Sequence, residues 1–324
     1  MSRDQPALVT GVTGQDGVYL ARSLRALGVP VVGTRQDTAL ARARASAYLS
    51  DVDVWVLDLL DPMGFGPLLS EVRPSRVFHL AGSTSVAASW DDPAGTAAVN
   101  DHAVARLLAD VRAHRDRTGE DVRVFVASTA VDDPSPYARS KRAAEEHVRA
   151  ARAAGLWAVS ARLHNHESPL REPQFVTRKI SRTAAAIALG RADSLTLGNT
   201  AVRRDWGHAR DLVEGVRRML EQESPTDLEL GTGVAHGLLD LVTCAFAAAG
   251  LGDATPYLRT DETLLRPGDA AEQVADPAPA LAALGWRATT PFARMVTHLV
   301  ETDLARLRTG VDHSPAYLWP EQFH

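Results

Sequence analysis

Three observations in the sequence predict an α/β protein with a doubly wound parallel sheet. Short apolar runs alternate with amphipathic segments through the first half of the 324-residue chain. The first run, Leu8–Thr10, breaks into three evenly spaced glycines, Gly11, Gly14 and Gly17. An amphipathic stretch from Val18 to Leu27 follows at once. Such alternation buries a parallel sheet under helices on both faces. The right-handed crossover rule then orders it as a Rossmann-type sheet, with ligands at the carboxyl ends of the strands.

The expected strands are Leu8–Thr10, Val29–Gly33, Val54–Leu57, Arg76–His79, Arg123–Ala127 and Trp157–Arg162. Between them, helices are expected at Val18–Leu27, Met63–Val72, Thr96–His114 and Tyr137–Ala154. The less regular second half predicts a smaller C-terminal α/β domain for substrate. The division expected is 1–163 for the sheet domain, with a segment at about 200–230 returning to it, and 164–324 mainly for substrate.

A strand that turns tightly into a helix presents backbone N–H groups and the positive end of the helix dipole, which suits a pyrophosphate. Glycine permits the close backbone approach. The turn residues Gly11, Thr13, Gly14, Gln15, Asp16 and Gly17 are therefore candidates to hold a dinucleotide cofactor. At the end of the second strand an acid favours NAD and a base accommodates the extra phosphate of NADP. The chain places Arg35 there, which favours NADP(H); Asp37, slightly late, keeps NAD(H) open. Asp58, with Leu59 beside it, follows the third strand and is expected at the adenine edge. The small residues of Leu80-Ala81-Gly82 are expected to line the cofactor.

After the fifth strand come Ser128-Thr129 and then a helix carrying Tyr137 and Lys141. Residues four apart share a helical face. A tyrosine titrates near ~10, and a neighbouring ammonium together with a cationic nicotinamide would draw it toward working pH. Thr129 is placed to share a hydrogen bond with a reacting sugar hydroxyl. In the second half, Arg178-Lys179, Arg203-Arg204 and Arg266 are separated basic points. In a chain of net charge −5 they predict a focused anion pocket, such as one for a sugar diphosphate. His164 and His166 lack a convincing metal spacing and read alone as loop or core histidines.

Hydrophobic content of 45% and charged content of 23% fit a globular protein with a sizeable core. The acidic balance, with pI near 6.1, argues against nucleic acid as a partner. Cys244 is the one cysteine, so no internal disulfide or cysteine metal site is expected; it lies in an apolar helical pattern, Leu238 to Ala249, and is expected in the core. No apolar run approaches the ~20 residues of a membrane span, and no signal peptide is visible, so a cytoplasmic protein is expected. The aromatic tail, with Tyr317, Leu318, Trp319 and Phe323, is expected to dock on the body or on a partner.

These residues resemble the extended short-chain dehydrogenase/reductases, and within them the GDP-mannose 4,6-dehydratase branch. The likeness runs from roughly Ala7 to Leu304. It rests on Thr10-Gly11-Val-Thr-Gly14-Gln15-Asp16-Gly17, Ser128-Thr129, and Tyr137 with Lys141. Further support comes from Asn165-His-Glu-Ser-Pro169, Phe175-Val-Thr-Arg-Lys-Ile180, Leu197-Gly-Asn199, Arg204-Asp-Trp-Gly-His-Ala209, Arg266-Pro267 and Leu284-Gly-Trp286. The resemblance implies oxidation of carbon 4 of a nucleotide sugar, a GDP-hexose, by hydride transfer to a tightly held nicotinamide. It makes Tyr137 the general base, Lys141 its partner and Thr129 the hydroxyl clamp. Asn165, Lys179, Arg204 and Arg266 would hold the nucleotide diphosphate, with Ser85 and Val176 also on the substrate side and His166 on the cofactor. A homodimer or homotetramer is implied.

Three departures from the dehydratase pattern stand out. The glutamate expected two residues after the threonine is Val131, which can neither accept nor donate a proton. The segment from Val131 to Tyr137 is shorter than the family's. The basic loop after the second strand, which in the dehydratases reaches a neighbouring subunit's cofactor, is replaced by Gln36-Asp37-Thr38-Ala39. The leading expectation is therefore an epimerase or 4-keto reductase. The alternatives are a dehydratase using Asp132 or Asp133 as acid/base, and a non-catalytic binding protein.

Overall fold

The computed structural model describes residues 5–61, 63–264 and 270–319. Seven strands form one fully parallel sheet in the order β10-β6-β5-β4-β1-β2-β3. They are β1 (Ala7–Thr10), β2 (Val31–Arg35), β3 (Asp53–Val56), β4 (Arg76–His79), β5 (Arg123–Thr129), β6 (Ala158–Leu163) and β10 (Leu228–Leu230). All six strands expected in the first half lie in this sheet. The seventh arrives from the second half and pairs with β6. Period-two alternation sends neighbouring residues to opposite cores. Val9, Phe78, Phe125 and Val159 pack into one, while Leu8, Val77, Val124 and Val126 pack into the other.

The sheet's helices are α1 (Gln15–Ala26), α2 (Ala39–Tyr48), α3 (Gly66–Val72), α4 (Val86–Asp91), α5 (Pro93–Ala97), α6 (Ala103–Thr118), α7 (Pro136–Ala153) and α9 (Ala209–Met219). A π-helical turn at Ala98–His102 joins α5 to α6. Helix α1 begins at Gln15, three residues before the expected start, because Gly14 is its N-cap. Among the helices the pattern does not announce are α2 and α4. Each is opened by a hydroxyl: Thr38 accepts from the Ala41 N–H and Ser85 from the Ala88 N–H.

Beyond β6 the chain builds a second layer. Strand β7 (Asn165–Glu167) pairs in parallel with β9 (Arg203–His208), which also carries β11 (Ala235–Gly237) and β13 (Glu272–Gln273). Strands β8 (Leu195–Leu197) and β12 (Leu258–Thr260) form a separate pair. Helices α8 (Val176–Ala188), α10 (Leu238–Ala248) and α12 (Phe292–Thr309) enclose a third core with Ile180, Leu241 and Val296. Helix α11 (Ala278–Leu284) returns to the main sheet beside β10 and α9. Cys244 is half-buried at the margin of the third core rather than inside it, because its position in α10 turns partly outward. Among the described residues no helix is long and apolar enough to cross a membrane.

Candidate active site

A cleft of about 660 Å³ opens above the carboxyl ends of the central strands. Its floor is the turn between β1 and α1. Gly11 has φ of +70°, and a Cβ there would lie 2.8 Å from the Ala81 backbone. A Cβ on Gly17 would lie 2.4 Å from the Gly11 carbonyl. A side chain at Gly11 would close the approach of β1 to the turn after β4, so glycine is required there by space as well as by dihedral angle; at Gly17 it would strike the Gly11–Val12 backbone, so space alone requires it. Thr13, Gly14, Gln15 and Asp16 complete this edge. No side chain caps the first turn of α1, which leaves that helix end suited to an anion.

Leu59, Leu80, Ala81 and Gly82 line the cleft. Asp58 is exposed instead, because its carboxylate turns back to accept the Leu60 N–H at 2.9 Å. Arg35 lines the far end, where its Nη1 donates to the Gln36 carbonyl at 3.0 Å and to Asp37 at 3.3 Å. Asp37 also receives Arg42 at 2.6 Å, so the acid and both bases form one set, exposed at Asp37 and Arg42 and half-buried at Arg35. Sequence reading does not find three further residues of the cleft, Arg44, Arg171 and Phe175. Arg44 is buried, donates to the Thr13 and Leu170 carbonyls, and keeps its Nε unpartnered. Arg171 stacks its guanidinium 3.5 Å over the Phe175 ring. The helical period of α2 places Arg44 on the face it shares with Ala41 and Tyr48, and that period was its available signal. A cradle that a Cβ would fill, flanked by arginines, fits a dinucleotide cofactor.

The reactive cluster stands at the end of β5. Thr129 closes that strand, and its hydroxyl acts on the Tyr137 phenol, drawing it down. Its Oγ1 also accepts the Val131 N–H at 3.1 Å. Tyr137 lies in the first turn of α7, behind Pro136, and Ser135 caps that turn. The Tyr137 N–H donates to the buried Ser89 of α4 at 3.2 Å. Lys141 is one turn further on, and its Nζ donates to the Ala127 carbonyl at 3.0 Å. A Cβ on Gly82 would come within 3.4 Å of that Nζ, so the lysine and the cofactor cleft meet at Gly82.

Several groups act on the phenol. Burial pushes the Tyr137 phenol above its ordinary value; the Thr129 hydrogen bond and the Arg171 charge pull it down, and Asp16 and Asp133 push it further up. Lys141 is not among the leading influences on the phenol, and burial acts on the lysine as well. Its own pKa is pulled down to about 8, with Asp16 acting in the other direction. Asp16 is held below the usual carboxylate range against its burial by His166. His166 is raised by Asp16 against the same desolvation. Its two ring nitrogens face the His164 carbonyl at 2.7 Å and the Asp16 carboxylate at 3.0 Å. Two acceptors favour the doubly protonated ring. His166 is thus an ion-pair member beside the cleft, not a passive loop histidine.

The expected substrate residues are more scattered. Asn165 opens β7, opposite Trp206 of β9. Val176 and Lys179 begin α8, where Lys179 is half-buried. Arg204 is buried on β9 and donates to the Arg203 carbonyl at 2.7 Å. Ser85 serves as the N-cap of α4. Arg266 lies outside the described residues. Arg178 departs from the expected basic cluster: it turns inward to pair with Asp303 of α12, because the period of α8 puts it on the buried face. Val131 is half-buried after Thr129. Asp132 points to solvent, with 93% of its side chain exposed, and pairs with Arg142. Asp133 accepts the Ser135 N–H at 2.9 Å and raises the Tyr137 phenol.

A seven-stranded parallel sheet, a glycine cradle and a Thr-Tyr-Lys cluster at one strand end define an extended short-chain dehydrogenase/reductase. More narrowly, the chain belongs to the GDP-mannose 4,6-dehydratase family, whose pattern, described as "GDP-mannose 4,6 dehydratase", matches residues 8–299. Curated relatives agree. GDP-mannose 4,6 dehydratase 2 of Arabidopsis thaliana is 33% identical over 323 residues, covering 92% of this chain and 86% of the relative. GDP-mannose 4,6-dehydratase of Sinorhizobium fredii is 32% identical over 347 residues, covering 95% and 99%. Among solved structures, the UDP-glucose 4-epimerase of Thermus thermophilus in complex with NAD superposes with a TM-score of 0.79 at 25% identity, covering 95% of this chain and 100% of the other. RMD from Pseudomonas aeruginosa complexed with NADPH, at 22% identity and a TM-score of 0.75 over 93% and 100%, shares the fold. The family is one of nicotinamide-dependent nucleotide-sugar enzymes.

Proposed function

We propose that this chain moves a hydride at carbon 4 of a GDP-hexose and does not expel water from it, acting as an epimerase or a 4-keto reductase. The observation that carries the reading is Val131. An aliphatic side chain stands where elimination across carbons 5 and 6 needs a proton carrier, while Thr129, Tyr137 and Lys141 are all present. General acid–base catalysis is worth about 10²–10⁴-fold, so its loss removes dehydration selectively.

When bound, the nicotinamide supplies reversible hydride exchange with carbon 4. The protein supplies the rest. Tyr137 takes the proton of the 4-hydroxyl in oxidation and returns it in reduction. Thr129 orients the phenol, and Lys141 holds positive charge beside the Gly82 turn. Residues 1–163, with the segment at about 200–230, serve the cofactor; residues 164–324 mainly serve the nucleotide sugar, through Asn165, Lys179 and Arg204. NADP(H) is the favoured cofactor in this reading, through Arg35.

A second reading keeps dehydration and gives the missing acid–base role to Asp133. Its charge acts on the Tyr137 phenol, whereas Asp132 faces solvent. One set of incubations separates the readings. GDP-mannose and a GDP-4-keto-6-deoxyhexose are each supplied with NADPH or NADP, and products are followed by NMR and absorbance. Net NADPH consumption with the keto sugar marks a reductase. Conversion without net cofactor change marks an epimerase. A 4-keto-6-deoxy product from GDP-mannose, abolished by Asp133→Asn, overturns the first reading in favour of the second.

A further inference from the structure

Two motifs far apart in the chain interlock in the fold. The Gly-Gln-Asp-Gly turn opens α1, and the Asn-His-Glu-Ser-Pro run forms β7 and the bend after it. The Gln15 Nε2 donates to the His166 carbonyl at 2.9 Å. Ser168 Oγ donates back to Gln15 Oε1 at 2.8 Å. The His166 Nε2–H reaches both Asp16 oxygens at 3.0 Å. Ser168 is fully buried and also accepts the Leu170 N–H at 3.1 Å. Arg44 closes the same seam from α2, reaching Leu170 on one side and Thr13 on the other.

The opposite side of this run faces the second layer. Glu167 accepts the Thr177 hydroxyl at 2.7 Å, in the turn of α8 that leads to Lys179. Its carboxylate also stands 3.4 Å from the Arg171 guanidinium. Asn165 pairs across to β9 two residues after Arg204. One short segment therefore forms a wall of both sites: its near side is hydrogen-bonded to the dinucleotide turn, and its far side carries or braces the residues assigned to the nucleotide diphosphate.

We propose that this latch couples the two sites, so that cofactor and nucleotide sugar bind with positive cooperativity, Ser168 and the Asp16–His166 pair being the positioning residues that transmit it. The inference rests on the nucleotide-sugar reading above. Whichever ligand binds first fixes the segment, and the second then meets a wall already ordered. Linkage requires the effect to be equal in both directions.

Calorimetric titration tests it. GDP is titrated into the full chain alone and with saturating NADPH, or NADH if that binds more tightly; the cofactor is then titrated with and without saturating GDP. The wild type is expected to tighten GDP by about fivefold or more when the cofactor is present, with the same factor in the reverse titration. Ser168→Ala is expected to leave GDP affinity without cofactor within about twofold and to bring the coupling factor toward one. Asp16→Asn, which keeps the side-chain shape, should lower the coupling as well. Independent binding in the wild type, or undiminished coupling in both variants, overturns the latch. Cofactor binding with no GDP binding under any condition overturns the nucleotide reading itself.

Discussion

Tyr137 and Thr129 show how a single hydrogen bond can set a working pH. Burial pushes the phenol up, and the Thr129 hydrogen bond is the largest influence pulling it back. In the proposed oxidation of the sugar the phenolate is the active form, so the rate is expected to climb as pH rises. Thr129→Val keeps the volume and removes the hydrogen bond, leaving the phenol higher. The ascending limb of the oxidation kcat profile is expected to move to higher pH, while the reduction direction, which needs the protonated phenol, retains its rate to higher pH. Tyr137→Phe removes the proton carrier and should cost about 10²–10⁴ in kcat with far less change in cofactor affinity. Because Tyr137 and Lys141 ionise within one buried cluster, the measured limb belongs to the set and not to one side chain. A Thr129→Val profile that superimposes on the wild type would show that the hydroxyl does not tune the base.

Helices α8 and α12 illustrate a different use of charge. Arg178 and Asp303 face each other within the third core, and Ser181 donates to the same carboxylate at 2.7 Å. Both charged side chains are at least nineteen-twentieths buried. Removing one partner strands the other, which costs about 3–5 kcal/mol where pairs of this kind have been cut. Asp303→Asn is therefore expected to lower the urea midpoint sharply, with a loss of that order measured by equilibrium unfolding. An unchanged midpoint would mean that solvent reaches the pair. This element also marks the limit of what is legible in the sequence. Adjacency groups Arg178 with Lys179, yet neighbours on a helix point about 100° apart; the spacing of Arg178 from Ser181 and Ala185 is the better guide. The inner strands β1, β4, β5 and β6 are legible because both their faces are largely buried and they read as near-continuous apolar runs; β10, three residues long at the sheet edge, is not. Strands of two or three residues, such as β11 and β13, are too short to show a period. Helix α2, rich in Ala and Arg, carries too few apolar residues to announce itself, although the Thr38 cap is readable. The proximity of Thr129, Tyr137 and Lys141 is legible from their order after the fifth strand and the four-residue spacing on α7, whereas Arg171 becomes visible only once β7 and α8 are folded around the cleft.

At the scale of the whole molecule, the end of the described chain is tied to its centre through histidines kept neutral. Trp319 stacks on His298 at 4.1 Å and on His208 at 4.5 Å between ring centroids. The rings form a directional relay. The Arg210 N–H donates to His208 Nδ1 at 3.1 Å, His208 Nε2–H to His298 Nδ1 at 3.3 Å, and His298 Nε2–H to the Tyr317 carbonyl at 2.9 Å. Every acceptor nitrogen is occupied, so an added proton would set N–H against N–H. Around the relay, Arg210 and Arg294 lie 5.2 and 5.4 Å from the Trp319 ring and add to the cost of a positive charge. Burial holds His298 down to about 4 and His208 well below its ordinary value. Histidines depressed in the native state contribute stability that is complete above their unfolded value of ~6.5 and is lost as pH falls toward the native one. His79, buried and pulled down to about 3, acts with the same sign. His166 runs the other way, since Asp16 raises it, and offsets part of the loss. His313, lowered by burial, adds a fourth of that sign, and with four histidines against one, unfolding free energy is expected to fall between pH 6.5 and 4, the His298 shift alone being worth on the order of 3 kcal/mol. Urea titrations at pH 7.5, 6 and 5, followed by tryptophan fluorescence, measure the slope. His298→Gln can accept from His208 and donate to Tyr317 without titrating, so it should flatten that slope while leaving stability at pH 7.5 close to the wild type. An equally steep acid loss in His298→Gln would place the sensitivity elsewhere than in the relay that fastens the tail.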